Sequence, residues 1–402
     1  MDSIIEQLAS QRVWEEYLAY RLKRGRLNWN EFCDTDTFVE TERYLPLVSS
    51  ILEGGSLSIP YKREVNKMGT NKKRVVYSFN DEEMTLLKVM SHLLYKYDET
   101  FAPNCYAFRR GVRVADVVTR LYRKVRHRGL WAYKLDIHNY FNSISIPILL
   151  PQLKQLLADD KPLYDFFERL LSDGRCLTNE QVVVEHRGVM AGVPVASFLA
   201  NVYLNEVDHY FANQGVIYAR YSDDIILFAS DSSQLQSHRA KILEFLDKYH
   251  LEVNPTKERI YSPDKPYEFL GFRCGQNGID ISHSGVEKMK GKIRRKMRAL
   301  LRWKERNGHS AERAMTAMIR YFNRKFFDTN LDGMLTWSRW YFPVITTTEA
   351  LKEIDHFMQQ SIRVLATGRH NKSNYRITYE KIKALGYRSL VHEFYKQKEQ
   401  RE

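Results

Sequence analysis

A chain of 402 residues with 44% hydrophobic and 13% aromatic content can bury two or three lobes around real cores, which excludes a disordered protein. Its four cysteines, Cys33, Cys105, Cys176 and Cys274, share no CxxC spacing, and no apolar run is long enough to span a bilayer, so a disulfide scaffold, a cysteine zinc site and a membrane partner are all unexpected. The net charge of +13 is unevenly placed: residues 281–402 carry 26 Lys and Arg against 12 Asp and Glu, while the first 280 carry 36 against 37. A basic lobe that grips a polyanion is therefore expected beside a near-neutral lobe that does the chemistry. The N-terminus, Met1-Asp2-Ser3-Ile4-Ile5-Glu6, lacks the basic start and apolar centre of a signal peptide, and a cytoplasmic protein is expected.

Residues 1–53 read as amphipathic helices with Trp14, Tyr17, Leu18, Leu45, Leu47, Ile51 and Leu52 inward, ending at Gly54-Gly55-Ser56. Arg21, Lys23, Arg24 and Arg26 read as a solvated helix end in preference to a nucleic-acid contact. Two strand-like runs follow between Tyr61 and Tyr77 around a turn with Gly69, and Lys67, Lys72, Lys73 and Arg74 give this hairpin the cations to fold over a triphosphate. A helix over 82–97 buries Leu86, Leu87, Met90 and Leu94. After Tyr106–Gly111 comes another with Val114, Val118 and Leu121 inward and arginines outward.

Trp131–Ile137 alternates as a strand and carries Asp136 at its end; helices are expected over 147–172. Gly188–Ser197 is a glycine-bearing loop ahead of an apolar helix, where a backbone can approach a nucleotide closely. Tyr218–Phe228 reads as a β-hairpin with Asp223 and Asp224 at its tip. Asp231-Ser232 caps a helix, and Tyr267–Phe272 is a second short hairpin-like unit. From Gly285 the pattern is helical, with Val286, Met289, Ile293, Met297 and Leu300 as an apolar stripe and Lys288, Lys292, Arg295 and Lys296 among the cations on the other faces.

Hairpins alternating with helices indicate an α+β fold. Asp136, brought beside the Asp223-Asp224 tip, supplies hard oxygen ligands for two Mg²⁺ ions, the arrangement suited to nucleotidyl transfer. At a tight turn only one of Asp223 and Asp224 is sure to face a given ion.

In order, these motifs resemble those of a reverse transcriptase of the bacterial group II intron and retron-like lineage, over roughly residues 55–275. Tyr106–Gly111 resembles its GFRxG-like segment, Leu135-Asp136-Ile137 with Tyr140-Phe141 its first palm motif, and Tyr221-Ser222-Asp223-Asp224 its YxDD box. Asn254-Pro255-Thr256-Lys257 is similar to the motif that follows, and Phe269-Leu270-Gly271-Phe272 to the primer-grip hairpin. The resemblance implies a right-hand polymerase with fingers, a palm built on an antiparallel sheet and a helical thumb. The divisions expected are 1–54 as an N-terminal helical extension, 55–130 as fingers, 131–275 as palm and 276–402 as a basic thumb.

It further implies Asp136, Asp223 and Asp224 as catalytic residues, with Ile137 joining them at two Mg²⁺ ions for which Mn²⁺ can substitute. Lys67, Arg74, Phe141, Ala191, Gly192, Tyr221 and Lys257 would bind the nucleotide, Phe141 lying beneath the sugar where a ring leaves no room for a 2′-hydroxyl. Arg109, Arg110, Lys288, Lys292, Arg295 and Lys296 would hold nucleic acid. Ala191-Gly192 and Ala196-Ser197 stand where the family usually has Gln-Gly and Ser-Pro. The expected activity is RNA-directed DNA synthesis from deoxynucleotides on a dedicated non-coding RNA, in anti-phage defence as a stand-alone enzyme, with homo-oligomerisation open. Untemplated or protein-primed synthesis, a retron or diversity-generating enzyme, and a non-enzymatic RNA scaffold are the competing readings.

Overall fold

Runs with strand and helix periodicity become the α+β fold expected of them. The computed structural model describes residues 2–25, 29–66, 73–328 and 336–400. Two units are distinguished: residues 1–113 with 128–263, and residues 114–127 with 264–402.

In the first unit the strands are β1 (Tyr61–Asn66), β2 (Lys73–Ser78), β3 (Trp131–Asp136), β4 (Arg175–Thr178), β5 (Gln181–Val184), β6 (Ile217–Tyr221), β7 (Asp224–Ala229) and β8 (Arg259–Tyr261). They form two sheets, β2-β1-β4-β5 and β6-β7-β3-β8. The β4–β5 hairpin was not foreseen from the sequence. All pairings are antiparallel except β1 with β4.

β3 and β7 are buried along most of their length, Ala132, Tyr133, Leu135 and Ile225–Ala229 among them, because helices cover the sheet. Helix Ser232–Lys248 contributes Leu235, Ile242, Phe245 and Leu246, and helix Asn205–Asn213 contributes Val207 and Phe211.

The N-terminal helices pack on the same core. Trp14 is fully buried, with Phe38 and Tyr44 rings at 5.5 and 4.9 Å and its Nε1 donating to the Leu8 carbonyl at 2.8 Å. The Asp160 carboxylate accepts from Ser3 Oγ, Ile4 N and Leu163 N, so it serves the starts of helices Ile4–Gln7 and Lys161–Ser172 together. Leu52, expected inward, is 46% exposed, because Tyr44, Val48 and Ile51 make the buried face of helix Tyr44–Leu52.

The second unit holds the sheet β11-β10-β9, with β9 (Tyr267–Phe269), β10 (Phe272–Gly275) and β11 (Gly278–Ile281). Its helices include Val114–Val125, His283–Asn307, Ala311–Phe327, Glu349–Thr367 and Leu390–Glu399. Buried Asp355 accepts from Tyr387 Oη, Ser389 Oγ, Leu390 N and Val391 N, fixing the start of the last helix.

One close approach in the first unit sets the position of the loop ahead of helix Ala196–Tyr203. Gly188 lies at φ +55, and a Cβ there would come within 2.3 Å of the Phe141 carbonyl, which accepts from Val189 N at 2.9 Å. Gly188→Ala is expected to lower unfolding stability by about 2 kcal/mol or more, from strained backbone and overpacking together. Urea denaturation against wild type measures it, and an unchanged midpoint would show that the loop can move away freely.

Candidate active site

Two β-rich runs separated by two residues fold back as a hairpin, and the register follows. β6 pairs with β7 from Ile217↔Phe228 to Tyr221↔Asp224, leaving Ser222 and Asp223 as the tip. Ser222 takes φ +62, the left-handed value that the first central position of such a turn requires. β3 pairs on the other side of β7, and its last residue, Asp136, stands opposite Asp224. Directly opposed residues of an antiparallel pair share a face.

Backbone bonds hold this corner together. Ile137 N donates to the Asp223 carbonyl at 2.9 Å, and Asn254 N donates to the Asp136 carbonyl at 2.8 Å. The stretch from Leu251 to Lys257 is thereby docked beside the tip. Lys257 Nζ bonds to Asp136 Oδ2, with Asn254 Nδ2 at 3.4 Å from Oδ1.

The corner concentrates negative charge. Burial raises the Asp223 carboxyl above its ordinary value, and the neighbouring Asp136 carboxylate adds to the shift while Lys257 and Arg74 oppose it. Asp224 is pushed up to about 6, first by burial and further by Asp223 and Asp136. Lys134 Nζ lies 3.3 Å from Asp224 Oδ1 and opposes that shift. That Oδ1 is buried and makes no hydrogen bond of good geometry.

Behind the hairpin lies a feature that sequence reasoning missed. Arg220 on β6 is fully buried and forks onto Asp208 of helix Asn205–Asn213, with Nε at 2.9 and 3.0 Å from its two carboxylate oxygens. Burial opposes the guanidinium charge, but Asp208 more than offsets it and the pKa is raised. Tyr218 Oη donates to Asp208 Oδ1 at 2.9 Å, and Asn104 Nδ2 to the Asp208 carbonyl at 2.9 Å. Arg220 Nη1 reaches Asn201 Oδ1 at 3.3 Å and the Ser222 carbonyl at 3.4 Å. An arginine inside an apolar strand, with one aspartate and one asparagine in apolar helices upstream, was the available signal.

The expected nucleotide-seating residues form a second group. Asn142 Oδ1 accepts from Ala191 N at 3.0 Å while its Nδ2 donates to the Val75 carbonyl, and Tyr77 N donates to the Ala191 carbonyl at 2.8 Å. Strand β2, the Gly188–Ser197 loop and helix Tyr140–Ser143 are thus joined. Gly192 has φ +105, and a Cβ would sit 2.9 Å from the Tyr77 carbonyl, so only glycine fits. The half-buried Phe141 ring is met edge-on by Phe108 at 6.1 Å. Tyr221 is half-buried at the end of β6.

Among the expected cations, Arg74 on β2 is exposed, and Lys67 lies outside the described residues. Arg109 directs its guanidinium at the carbonyls of Asp98, Ala102 and Cys105, at 2.8 to 3.2 Å, and so serves its own loop. Arg110 is exposed. In the second unit, Lys288, Lys292, Arg295 and Lys296 share helix His283–Asn307, where Lys296 Nζ stands 4.4 Å from the exposed Tyr321 ring.

The sequence model described as reverse transcriptase (RNA-dependent DNA polymerase) matches residues 65–274, more than half of the chain. The chain belongs to the reverse transcriptase family. That fits the resemblance read from the motif order. A retron Ec86 reverse transcriptase from Escherichia coli is 26% identical over 106 residues, which are 25% of this chain and 33% of that protein. The chain thus spans about a third of that relative's length. Two solved telomerase structures are similar at 13% identity. One, from Candida tropicalis, has a TM-score of 0.45 and covers 56% of this chain and 55% of its own. The other, from Candida albicans with a fragment of telomeric RNA, has a TM-score of 0.46 and covers 87% and 68%.

Reverse transcriptases generally use divalent metal ions, and the donor set at this tip suits them. Three carboxylates offer hard oxygens, two of them raised in pKa first by burial and then by neighbouring carboxylate charge, a penalty that a divalent cation relieves. Among the described residues, no three His, Cys, Asp or Glu side chains close into a ready cage. Ions here would complete their shells with substrate phosphate and water.

The raised Asp224 pKa carries a consequence for stability. A carboxyl near 6 in the folded protein and 3.8 in the unfolded chain binds its proton more tightly when folded, so metal-free wild type loses stability as pH rises from about 4 through 6. Asp224→Asn lacks this loss. Its stability relative to wild type, from urea unfolding in EDTA, is expected to rise by on the order of 2–3 kcal/mol between pH 4 and pH 7.5. Parallel curves over that range would contradict it.

Proposed function

We propose that the protein is an RNA-directed DNA polymerase whose reaction takes place at the tip of the β6–β7 hairpin. The observation that carries this reading is the convergence of half-buried Asp223 and Asp224 with buried Asp136 at one corner, where Asp136 acts on both of the others and Asp223 on Asp224. A scaffold that bound RNA passively would gain nothing from crowded carboxylates facing a polyanion.

Asp136 and Asp223, with Asp224 and the Ile137 carbonyl in support, would hold two Mg²⁺ ions, with Mn²⁺ as a substitute. Bound there, these ions would supply an activated primer hydroxyl and stabilise charge on the phosphate oxygens as pyrophosphate leaves. The residues of the chain do the rest. Lys257 steadies the Asp136 carboxylate. Arg74, exposed on β2 and close enough to influence Asp223, supplies a planar cation for the triphosphate, a role in which Lys67 would join it. Gly192, without a side chain, and Ala191, held by its backbone at both ends, line the nucleotide's seat beside Tyr221. Phe141, braced by Phe108, is the surface against which a deoxyribose packs and a 2′-hydroxyl is refused.

The second unit brings nucleic-acid grip. Lys288, Lys292, Arg295 and Lys296 line one helix, and burial lowers the Lys292 pKa with the repulsion of Lys325, Arg295 and Lys288 added, the signature of a cation cluster suited to phosphates. Deoxynucleotides, an RNA template and a DNA product are the implied partners. The dedicated non-coding RNA and the role in anti-phage defence rest on the sequence resemblance.

Primer extension on poly(rA)·oligo(dT) with each of the four deoxynucleotides tests the reading. Wild type should add dT in Mg²⁺, Asp223→Asn should lose about 10³-fold in rate, and Phe141→Ala should admit ribonucleotides roughly tenfold better. Equal incorporation of all four deoxynucleotides would shift the reading to untemplated synthesis. Activity surviving in Asp223→Asn would remove the proposed site.

A further inference from the structure

The β2-β1-β4-β5 sheet ends differently at its two sides. At β2, Tyr77 N donates to the Ala191 carbonyl at 2.8 Å, so the Gly188–Ser197 loop takes up part of that edge. At β5, among the described residues, β4 is the one partner and the outer side is open. Sheet edges that face water are ordinarily blunted by lysine, proline or a bulge, because their free N–H and C=O groups template another strand. β5 carries none of these. It reads Gln181-Val182-Val183-Val184, with the valines 54%, 36% and 79% exposed.

The ladder fixes which backbone groups face outward. Asn179 and Glu180, at φ +49 and +65, make a tight two-residue turn, and the register runs without a bulge from Thr178↔Gln181 to Arg175↔Val184. Glu185 N donates to the Gly174 carbonyl at 3.0 Å, so Glu185, Val183 and Gln181 direct their backbone groups at β4 and the residue before it. Antiparallel pairs alternate, and the N–H and C=O of Val182 and Val184 therefore point to the open side. The far end of the strand is anchored, since the Glu185 carboxylate accepts from Lys62 Nζ at 2.5 Å and from Tyr77 Oη at 2.7 Å.

That edge is complementary to itself. Turned about a two-fold axis through Val183, a second β5 places Val182 of each copy opposite Val184 of the other. Each such pair can exchange two backbone hydrogen bonds, because the same residues face outward on both copies. Gln181 falls opposite Glu185, and beyond the strand Glu180 comes across from His186, so no two like charges are opposed. Exposed Tyr61 of β1 stands beside Leu177, and Leu177 beside Val182, so the valines continue an apolar face of the same sheet. We propose that two copies of this chain join by antiparallel β5–β5 pairing into a two-fold dimer, in which the sheet runs continuously from one copy into the other. Pairing consumes the open edge on both copies, so assembly stops at two. The interface contains no residue of the carboxylate corner and stands apart from the polymerase reading.

Sedimentation equilibrium of nuclease-treated protein in about 0.5 M KCl tests the dimer, since association bridged by a polyanion is screened there and backbone pairing is not. One pair of strands is a small interface, so the wild-type mass is expected to rise toward twice that of the chain between about 1 and 100 µM, and no further. Val182→Pro removes an outward N–H and leaves the ladder with β4 intact. It should weaken the dimer by about tenfold or more while the urea midpoint stays near wild type. Val182→Lys/Val184→Lys and Val182→Glu/Val184→Glu each oppose like charges across the axis and should be monomeric alone. Mixed one to one in about 0.1 M KCl, they set lysine against glutamate and should form a heterodimer.

A wild-type chain that stays monomeric throughout the range, a mass that climbs past two copies, or a Val182→Pro protein that dimerises as wild type does would overturn the proposal. So would a mixture of the two charged variants that remains monomeric while circular dichroism shows each of them folded.

Discussion

The buried pair between Arg220 and Asp208 is the constraint on which the rest of the first unit depends. Both side chains are wholly removed from water. A charge in that position is tolerable only if its partner and its remaining hydrogen-bonding groups are all supplied. The fold supplies them from Tyr218, Asn104 and Asn201, and in doing so ties strand β6 to helices Ala196–Tyr203 and Asn205–Asn213 and to the segment around residue 105. One end of the same arginine reaches the Ser222 carbonyl in the turn itself. The backbone on either side joins in, with Tyr106 N donating to the Arg220 carbonyl at 2.9 Å and Arg220 N to the Asn104 carbonyl at 3.0 Å. The tip that carries Asp223 is therefore mounted on a buried polar network, in which Asn104 Oδ1 is left without a partner, together with the stacking of Tyr218 on Phe211.

On the other side of that tip the electrostatics are left unbalanced. Lys257 and Lys134 each sit against one carboxylate, and Asp223 keeps only the more distant influence of Lys257 and Arg74. Perturbed carboxyls grouped at one end of a sheet are what a site for phosphoryl transfer needs, because their repulsion is relieved only when cations and substrate arrive. The contrast between the two sides of the hairpin, paired behind and crowded in front, is the ground on which the front carboxylates are proposed as the chemical ones.

Much of this was legible from local sequence. Asp136 ends an alternating strand, and Asp223 and Asp224 interrupt a hairpin pattern, so period and turn chemistry located all three. Gly188 and Gly192 read as points where a backbone can approach a nucleotide, whereas the close approaches in the fold are to the Phe141 and Tyr77 carbonyls. What stayed hidden depends on partners far apart in the chain. Arg220 and Asp208 read as two unremarked polar residues until the helix is folded onto the strand. Arg109 and Arg110 read as equivalent cations, yet the guanidinium of one is absorbed by three carbonyls while that of the other lies at the surface, 5.7 Å from the Tyr20 ring centroid. Lys73 read like Arg74 but pairs with Glu64 at 2.6 Å across the β1–β2 hairpin.

On the proposed reading, the Arg220–Asp208 pair holds the hairpin in the geometry its carboxylates require, and does more than stabilise the fold. Replacing both partners with apolar residues separates the two roles, since a buried ion pair exchanged for well-packed apolar groups is often neutral in stability. The measurement is the kcat for DNA synthesis by Arg220→Met/Asp208→Leu, read beside its urea midpoint and its KM for deoxynucleotide. A folded double variant with KM near wild type and kcat lower by about tenfold or more is predicted, as expected for a displaced reacting geometry. A folded double variant with wild-type kcat would contradict the claim and leave the pair as packing.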